Sequence, residues 1–133
     1  MWEVQKMEVI EVARGMSEKG LVVGTSGNAS QRFRETTGRE LVAITPSGRP
    51  YDTMRPEDIV LVDMEGQRIE GDLAPSIETM LHVGIYRARR NVDAIVHTHA
   101  VFGSIIAVTG TGIPPILDDQ VTSLGGEIRV AAY

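Results

Sequence analysis

Apolar residues near the amino terminus recur three and four positions apart: Val9, Val12, Ala13 and Met16, with Glu8, Glu11, Arg14 and Glu18 between them. This spacing predicts an amphipathic helix over residues 3–19 with Gly20 as its stop. The pattern then turns strand-like. Segments 29–34 and 40–45 read as a hairpin split by Glu35-Thr36-Thr37-Gly38, and Thr45–Pro50 is a second turn. Pro56-Glu57-Asp58 leads into an apolar strand at Ile59–Val62, and Asp63–Gly66 turns into a short strand near Gln67–Ile69. Helical spacing returns over residues 76–90, where Ile77, Met80, Leu81, Ile85 and Ala88 form an apolar face. Ala94–His97 reads as a buried strand and Val101–Val108 as an apolar helix. Pro114-Pro115 forces extended chain, Gly125-Gly126 a turn, and Ile128–Val130 a last strand. The order predicts a mixed α/β fold with helices packed on a largely antiparallel sheet.

Composition narrows the function classes. The 133 residues suit one domain or part of one, and 42% hydrophobic with 23% charged residues is ordinary globular usage. A net charge of −5 argues against a nucleic-acid or anionic-membrane surface, though a local pocket can still take a small anion. No run approaches the roughly 20 apolar residues of a membrane span, and acidic residues interrupt what a secretory leader would need. With no cysteine, any transition metal would need His, Asp or Glu ligands, and the chain suits the cytoplasm. No repeat or linker divides it, so residues 1–133 read as one domain. The sequence stops at Tyr133 in or just after a strand, so the expectation is an amino-terminal fragment of that domain.

The strongest chemical signal is Val96-His97-Thr98-His99. In a strand, residues two apart share a face, so both imidazoles can reach one ion. The opposing reading is a pair of surface or capping histidines. Glu78 near a helix start would add a carboxylate, either as a third ligand or as a general base beside the metal; alone it is a first-turn acid favoured by the helix dipole. The third histidine, His82, shares a helix face with Glu78 and reads as a core or interface residue making local hydrogen bonds.

Two loops and a helix start offer anion donors. Thr25-Ser26-Gly27-Asn28 supplies hydroxyls, an amide and glycine-freed N–H groups, Ser47-Gly48 a smaller set of the same kind, and Ser76 follows Pro75 where a helix begins. Ser76 as helix N-cap and Ser47-Gly48 as a plain tight turn are the structural alternatives.

Gly24–Ser30, Ile44–Gly48, Pro75–Glu78, Val96–His99 and Ile113–Pro115 with Gly125-Gly126, in that order, resemble the class II aldolase/adducin family, specifically its L-fuculose-1-phosphate aldolase type. The resemblance covers nearly the whole chain. It implies a three-layer α/β/α sandwich around a central, largely antiparallel sheet, and a homotetramer. It implies zinc held by His97 and His99, with Glu78 both binding the metal and acting as acid/base, and substrate phosphate held by Thr25, Asn28, Ser47, Gly48 and Ser76. His82 matches a histidine that is not a ligand. The family's third zinc histidine lies in an Asn-His-Gly motif beyond the end of this sequence. Ile77 stands where a phosphate-contacting serine occurs, and Asp118-Asp119 near where a proton-donating tyrosine is found.

The reaction so implied is retro-aldol cleavage of a ketose 1-phosphate, of the L-fuculose 1-phosphate type, to dihydroxyacetone phosphate and an aldehyde. Pentulose-phosphate 4-epimerases and methylthioribulose-1-phosphate dehydratases of the same family are the nearer alternatives. A non-catalytic adducin-like binding domain is the more distant one, and it has no need of the His-x-His pair.

Overall fold

A computed structural model describes residues 1–132 of the chain. Tyr133, at which the expected domain breaks off, lies outside the described residues. The chain forms two compact units, Met1–Thr98 and the residues from His99 onward.

The first unit opens with α1 (Glu3–Glu18). Gly20, at φ 65°, ends it in a Schellman arrangement: its N–H reaches the Ser17 carbonyl at 3.0 Å and that of Leu21 reaches Met16 at 2.9 Å. The buried stripe is Lys6, Val9, Ile10, Ala13 and Met16. Val12, expected inward, is 43% exposed. Lys6 is buried because its ammonium is paired with Glu70 at 2.5 Å, which lets its alkyl stem pack inward.

Five strands follow: β1 (Asn28–Arg34), β2 (Glu40–Ile44), β3 (Val60–Asp63), β4 (Arg68–Glu70) and β5 (Ala94–His97). They form one sheet in the order β4-β3-β2-β1-β5, antiparallel throughout. Strand alternation sends Ala29, Ala43, Ile59 and Leu61 into the α1 core, and Val42, Ile44, Val60 and Val62 to the opposite face. There they meet Tyr86 of α2 (Thr79–Ala88). Helix, sheet and helix make three layers, as expected.

Three local expectations are corrected. The α2 face was expected to be Ile77, Met80, Leu81, Ile85 and Ala88, but Ile77 is 90% exposed, Met80 and Leu81 are about half exposed, and the buried residues are Thr79, His82, Val83 and Tyr86. Hydrophobic count failed because inward polar groups find partners: His82 and Tyr86 bond Ser30 of β1, and Thr79 donates to the Ser76 carbonyl. Ser76 is not the N-cap: Glu78 holds that position. Ser76 lies before the helix, its N–H tied to the Thr45 carbonyl at 3.1 Å, and its hydroxyl accepts from the Glu78 N–H at 3.2 Å. β5, expected to be buried, is a sheet edge with Val96 48% exposed.

In the second unit, α3 (Val101–Val108) and α4 (Asp118–Leu124) are joined through an extended stretch. The strand expected at Ile128–Val130 reduces to a single bridge between Ile113 and Ile128. Pro114 and Pro115 lack the N–H groups needed to extend it. The α4 helix was not foreseen, since its polar start carries no apolar period. Gln120 knits it in, donating to the carbonyls of Ile113, Pro114 and Gly126 at 3.3, 3.1 and 3.0 Å. No helix among the described residues is long and apolar enough to cross a membrane.

Candidate metal centre and phosphate loops

Glu78 is placed by the turn that opens α2, and His97 by the last residue of β5. β1 lies between: Asn28 pairs with His97 in the sheet register. The Asn28 side-chain amide donates to Glu78 Oε2 at 2.5 Å, while Glu78 Oε1 lies 3.3 Å from His97 Nε2. The Asn28 amide orientation follows from its partner, because an ionised carboxylate only accepts. Asn28 Oδ1 is buried with no hydrogen-bond partner.

One ligand atom each from Glu78, His97 and His99 lie within 4.8 Å of one another. Two ligands about 2.0–2.1 Å from a tetrahedral ion sit about 3.3 Å apart, so the Glu78–His97 separation already matches a coordination edge. Two imidazoles and a carboxylate, in a chain without thiols, are a donor set suited to zinc or a similar divalent ion.

The glycine before Asn28 is required by geometry. Gly27 sits at φ 73°, and a Cβ there would lie 2.5 Å from the His97 carbonyl oxygen and 2.7 Å from Val22 Cγ1. Tyr51 fixes the same loop, its hydroxyl donating to the carbonyls of Gly27 at 2.7 Å and Ser26 at 3.0 Å. Burial, with the nearby Glu78 charge, raises the Tyr51 pKa, which keeps that hydroxyl a donor. No sequence motif marked Tyr51.

The anion-donor stretches are gathered by backbone pairing. Thr45 accepts the Ala29 N–H on its hydroxyl at 3.2 Å and donates its own N–H to the Ala29 carbonyl at 3.1 Å. Pro46 bridges Pro75, and the Ser47 N–H reaches the Ala74 carbonyl at 3.0 Å. The Asn28, Ser47-Gly48 and Ser76 segments therefore converge on one end of the sheet. Ser47 and Gly48 are exposed there, Ser76 is buried, and Thr25 is exposed in the turn before β1. Ile77 projects into solvent, and Asp118 and Asp119 form the first turn of α4 in the second unit.

His82 is fully buried, as the core reading expected. Its Nδ1 lies 2.6 Å from Ser30 Oγ, which lies 2.7 Å from the Tyr86 hydroxyl. Burial, with the neighbouring His97, pushes the His82 pKa down to about 4 against an opposing pull from Glu78, so the ring is neutral near pH 7. Burial pushes the Tyr86 phenol up to about 12.

Residues 7–133 match the Class II Aldolase and Adducin N-terminal domain. The chain belongs to this family. It is 36% identical over 129 residues to a 5-deoxy-D-ribulose 1-phosphate aldolase from Bacillus thuringiensis serovar kurstaki, covering 97% of this chain and 59% of that protein. A solved L-fuculose 1-phosphate aldolase superposes with a TM-score of 0.74 at 34% identity, over 83% of this chain and 50% of that one. An L-fuculose-1-phosphate aldolase from Thermus thermophilus gives 0.73 at 26% identity, over 94% and 61%. The chain thus spans between half and three-fifths of the length of these relatives, and it shares their class II aldolase fold, as the motif order implied.

Proposed function

We propose that this chain carries the metal-binding and phosphate-binding part of a sugar-phosphate aldolase that cleaves a ketose 1-phosphate to dihydroxyacetone phosphate and an aldehyde. The observation that carries the reading is the Glu78 carboxylate, held by Asn28 on one oxygen and set against His97 on the other, with His99 in reach. The names of the relatives agree with it, since 5-deoxy-D-ribulose 1-phosphate and L-fuculose 1-phosphate are both ketose 1-phosphates.

Glu78, His97 and His99 would hold a divalent ion, zinc by the family resemblance, which supplies a Lewis acid for the ketose carbonyl and its neighbouring hydroxyl. Glu78 moves the proton on the three-carbon fragment, as a carboxylate in hydrogen-bond reach of the reacting carbon can. Thr25, Asn28, Ser47, Gly48 and Ser76 hold the phosphate and so fix the reacting carbons in place. Asn28 serves both ends, with its amide on Glu78 and its chain position at the mouth of the loop. A cytoplasmic homotetramer belongs to the same reading.

The test is release of dihydroxyacetone phosphate from each of the two ketose phosphates, together with bound zinc, in the protein as it occurs. A His97→Ala/His99→Ala double variant should lose both. Undiminished cleavage and zinc content in that variant would sink the proposal. An epimerised or dehydrated product from a pentulose or methylthioribulose phosphate would move the chain to another enzyme of the family.

A further inference from the structure

β1 and α2 are locked together in an unusually regular way. They run in the same direction, and three consecutive inward positions of the strand meet three consecutive turns of the helix. Asn28 donates to Glu78 at 2.5 Å; Ser30 bonds His82 at 2.6 Å and Tyr86 at 2.7 Å; Arg32 donates to the Tyr86 carbonyl at 3.2 Å, with its guanidinium 5.4 Å from the Tyr86 ring centre. The spacing explains the match. Two strand residues advance about 6.6 Å, and four helical residues advance about 6.0 Å. A polar side chain at every second strand position therefore meets every fourth helix position with a drift of only about 0.6 Å per step. All three strand residues are buried, at 3%, 3% and 7% exposure.

Apolar packing joins α2 to the sheet, since Val83 and Tyr86 are fully buried and Tyr86 packs on Val42, Ile44, Val60 and Val62, but it is not what fixes the register. Of the five residues that apolar spacing would turn inward, Ile77, Met80 and Leu81 are 90%, 53% and 50% exposed. Apolar contact is also non-directional, whereas a hydrogen bond weakens steeply with misplacement. His82 is the middle rung. It is rigidly coupled to Glu78 one turn away, since its N–H donates to the Glu78 carbonyl at 3.2 Å.

We propose that the Asn28–Glu78, Ser30–His82–Tyr86 and Arg32–Tyr86 ladder sets the Glu78 carboxylate against His97, and that His82 is its positioning residue. His82 touches neither metal nor substrate in this role; it fixes where α2 begins relative to the strand that carries Asn28 and pairs with β5. The inference rests on the metal reading above for its consequence, and on the hydrogen bonds alone for its geometry.

The test has two readouts. In the metal-free chain, the Asn28 side-chain amide protons should resonate downfield in NMR and shift back in Glu78→Gln. In His82→Leu they should shift back likewise, with helical circular dichroism retained, and cobalt(II) affinity should fall on the order of 10-fold or more. His82→Asn, whose amide can occupy the place of Nδ1 beside Ser30, should restore the amide signal and most of the affinity. A folded His82→Leu chain with wild-type amide shifts and wild-type cobalt binding would overturn the proposal. If His82→Leu does not fold, Ser30→Ala breaks the same rung, and unchanged readouts there overturn it equally. If the wild-type chain binds no cobalt, the metal reading fails, while the Asn28 amide signals still decide the ladder.

Discussion

On the α1 side of the sheet, Ala29, Ala43, Ile59 and Leu61 meet Val9, Ile10, Ala13 and Met16 in an apolar layer; on the α2 side, Val42, Ile44, Val60 and Val62 pack on Tyr86, and beside them Asn28, Ser30 and Arg32 of β1 meet Glu78, His82 and Tyr86 through hydrogen bonds. The first layer tolerates small sliding and supplies stability in proportion to buried area. The second adds directional hydrogen bonds, at the cost of burying polar groups, of which Asn28 Oδ1 and His82 Nε2 have no hydrogen-bond partner. The candidate centre grows from the second layer: Glu78 is the first rung of its ladder and His97 the next strand over. Precision at the site thus comes from the face that sequence hydrophobicity describes least well.

The largest expected effect lies on the apolar face. Leu61→Ala should cost about 3–5 kcal/mol in urea unfolding, because Leu61 is fully buried among α1 and strand residues. It should leave the Asn28 amide signals unchanged in whatever fraction is folded. Loss of those signals at equal folding would show that the two faces are not separable.

Gly27→Ala is expected to disturb both faces. A Cβ would strike the His97 carbonyl on the site side and Val22 and Met16 on the α1 side, at a left-handed φ. A destabilisation of about 2–4 kcal/mol follows from strain and overpacking together, along with weaker cobalt binding. Wild-type stability would mean the loop can move away from β5.

A smaller effect belongs to pH and to the polar face alone. His82 has a folded pKa of about 4 against 6.5 unfolded, so the unfolded chain takes up the proton first as pH falls. The stability tied to neutral His82 is complete above about pH 6.5 and is lost progressively toward pH 4, by about 2 kcal/mol. Urea midpoints of the metal-free chain at pH 7 and pH 4.5 should show this drop, and His82→Leu should flatten that part of the profile. An equal slope in both chains would place the titration elsewhere. The smallest effect is Ile77→Ser: at 90% exposure it should change the unfolding free energy by less than about 0.5 kcal/mol, although Ile77 is among the more hydrophobic residues of the segment.

Much of this was legible in the chain itself. The first helix, the hairpin, the short strands near residues 60 and 69, and the apolar helix after His99 all follow from period and turn residues, and they form where those signals put them. That the His-x-His pair and the carboxylate one element earlier are candidates for one cluster was legible too, because side chains able to bind a metal are few in kind and their spacing is simple, and the structure brings the three together. The α2 face was not legible, because a one-dimensional count scores Ile77 and Met80 as inward and His82 as neutral, with no knowledge of what the facing strand offers. Tyr51 was invisible for a related reason: its importance is the Gly27 carbonyl it meets 24 residues away.

By itself, then, the sequence determined most of the element types, α4 and the last expected strand excepted, the candidate donor residues and the family. Local backbone preference and side-chain chemistry are properties of short stretches, and short stretches are what a sequence displays. The tertiary structure alone decided that Asn28 holds Glu78, that Thr45 gathers the anion-donor segments, and that His82 is neutral and locked to Ser30. Each of these depends on which buried polar group finds which partner, and that is settled only when strand and helix are in register.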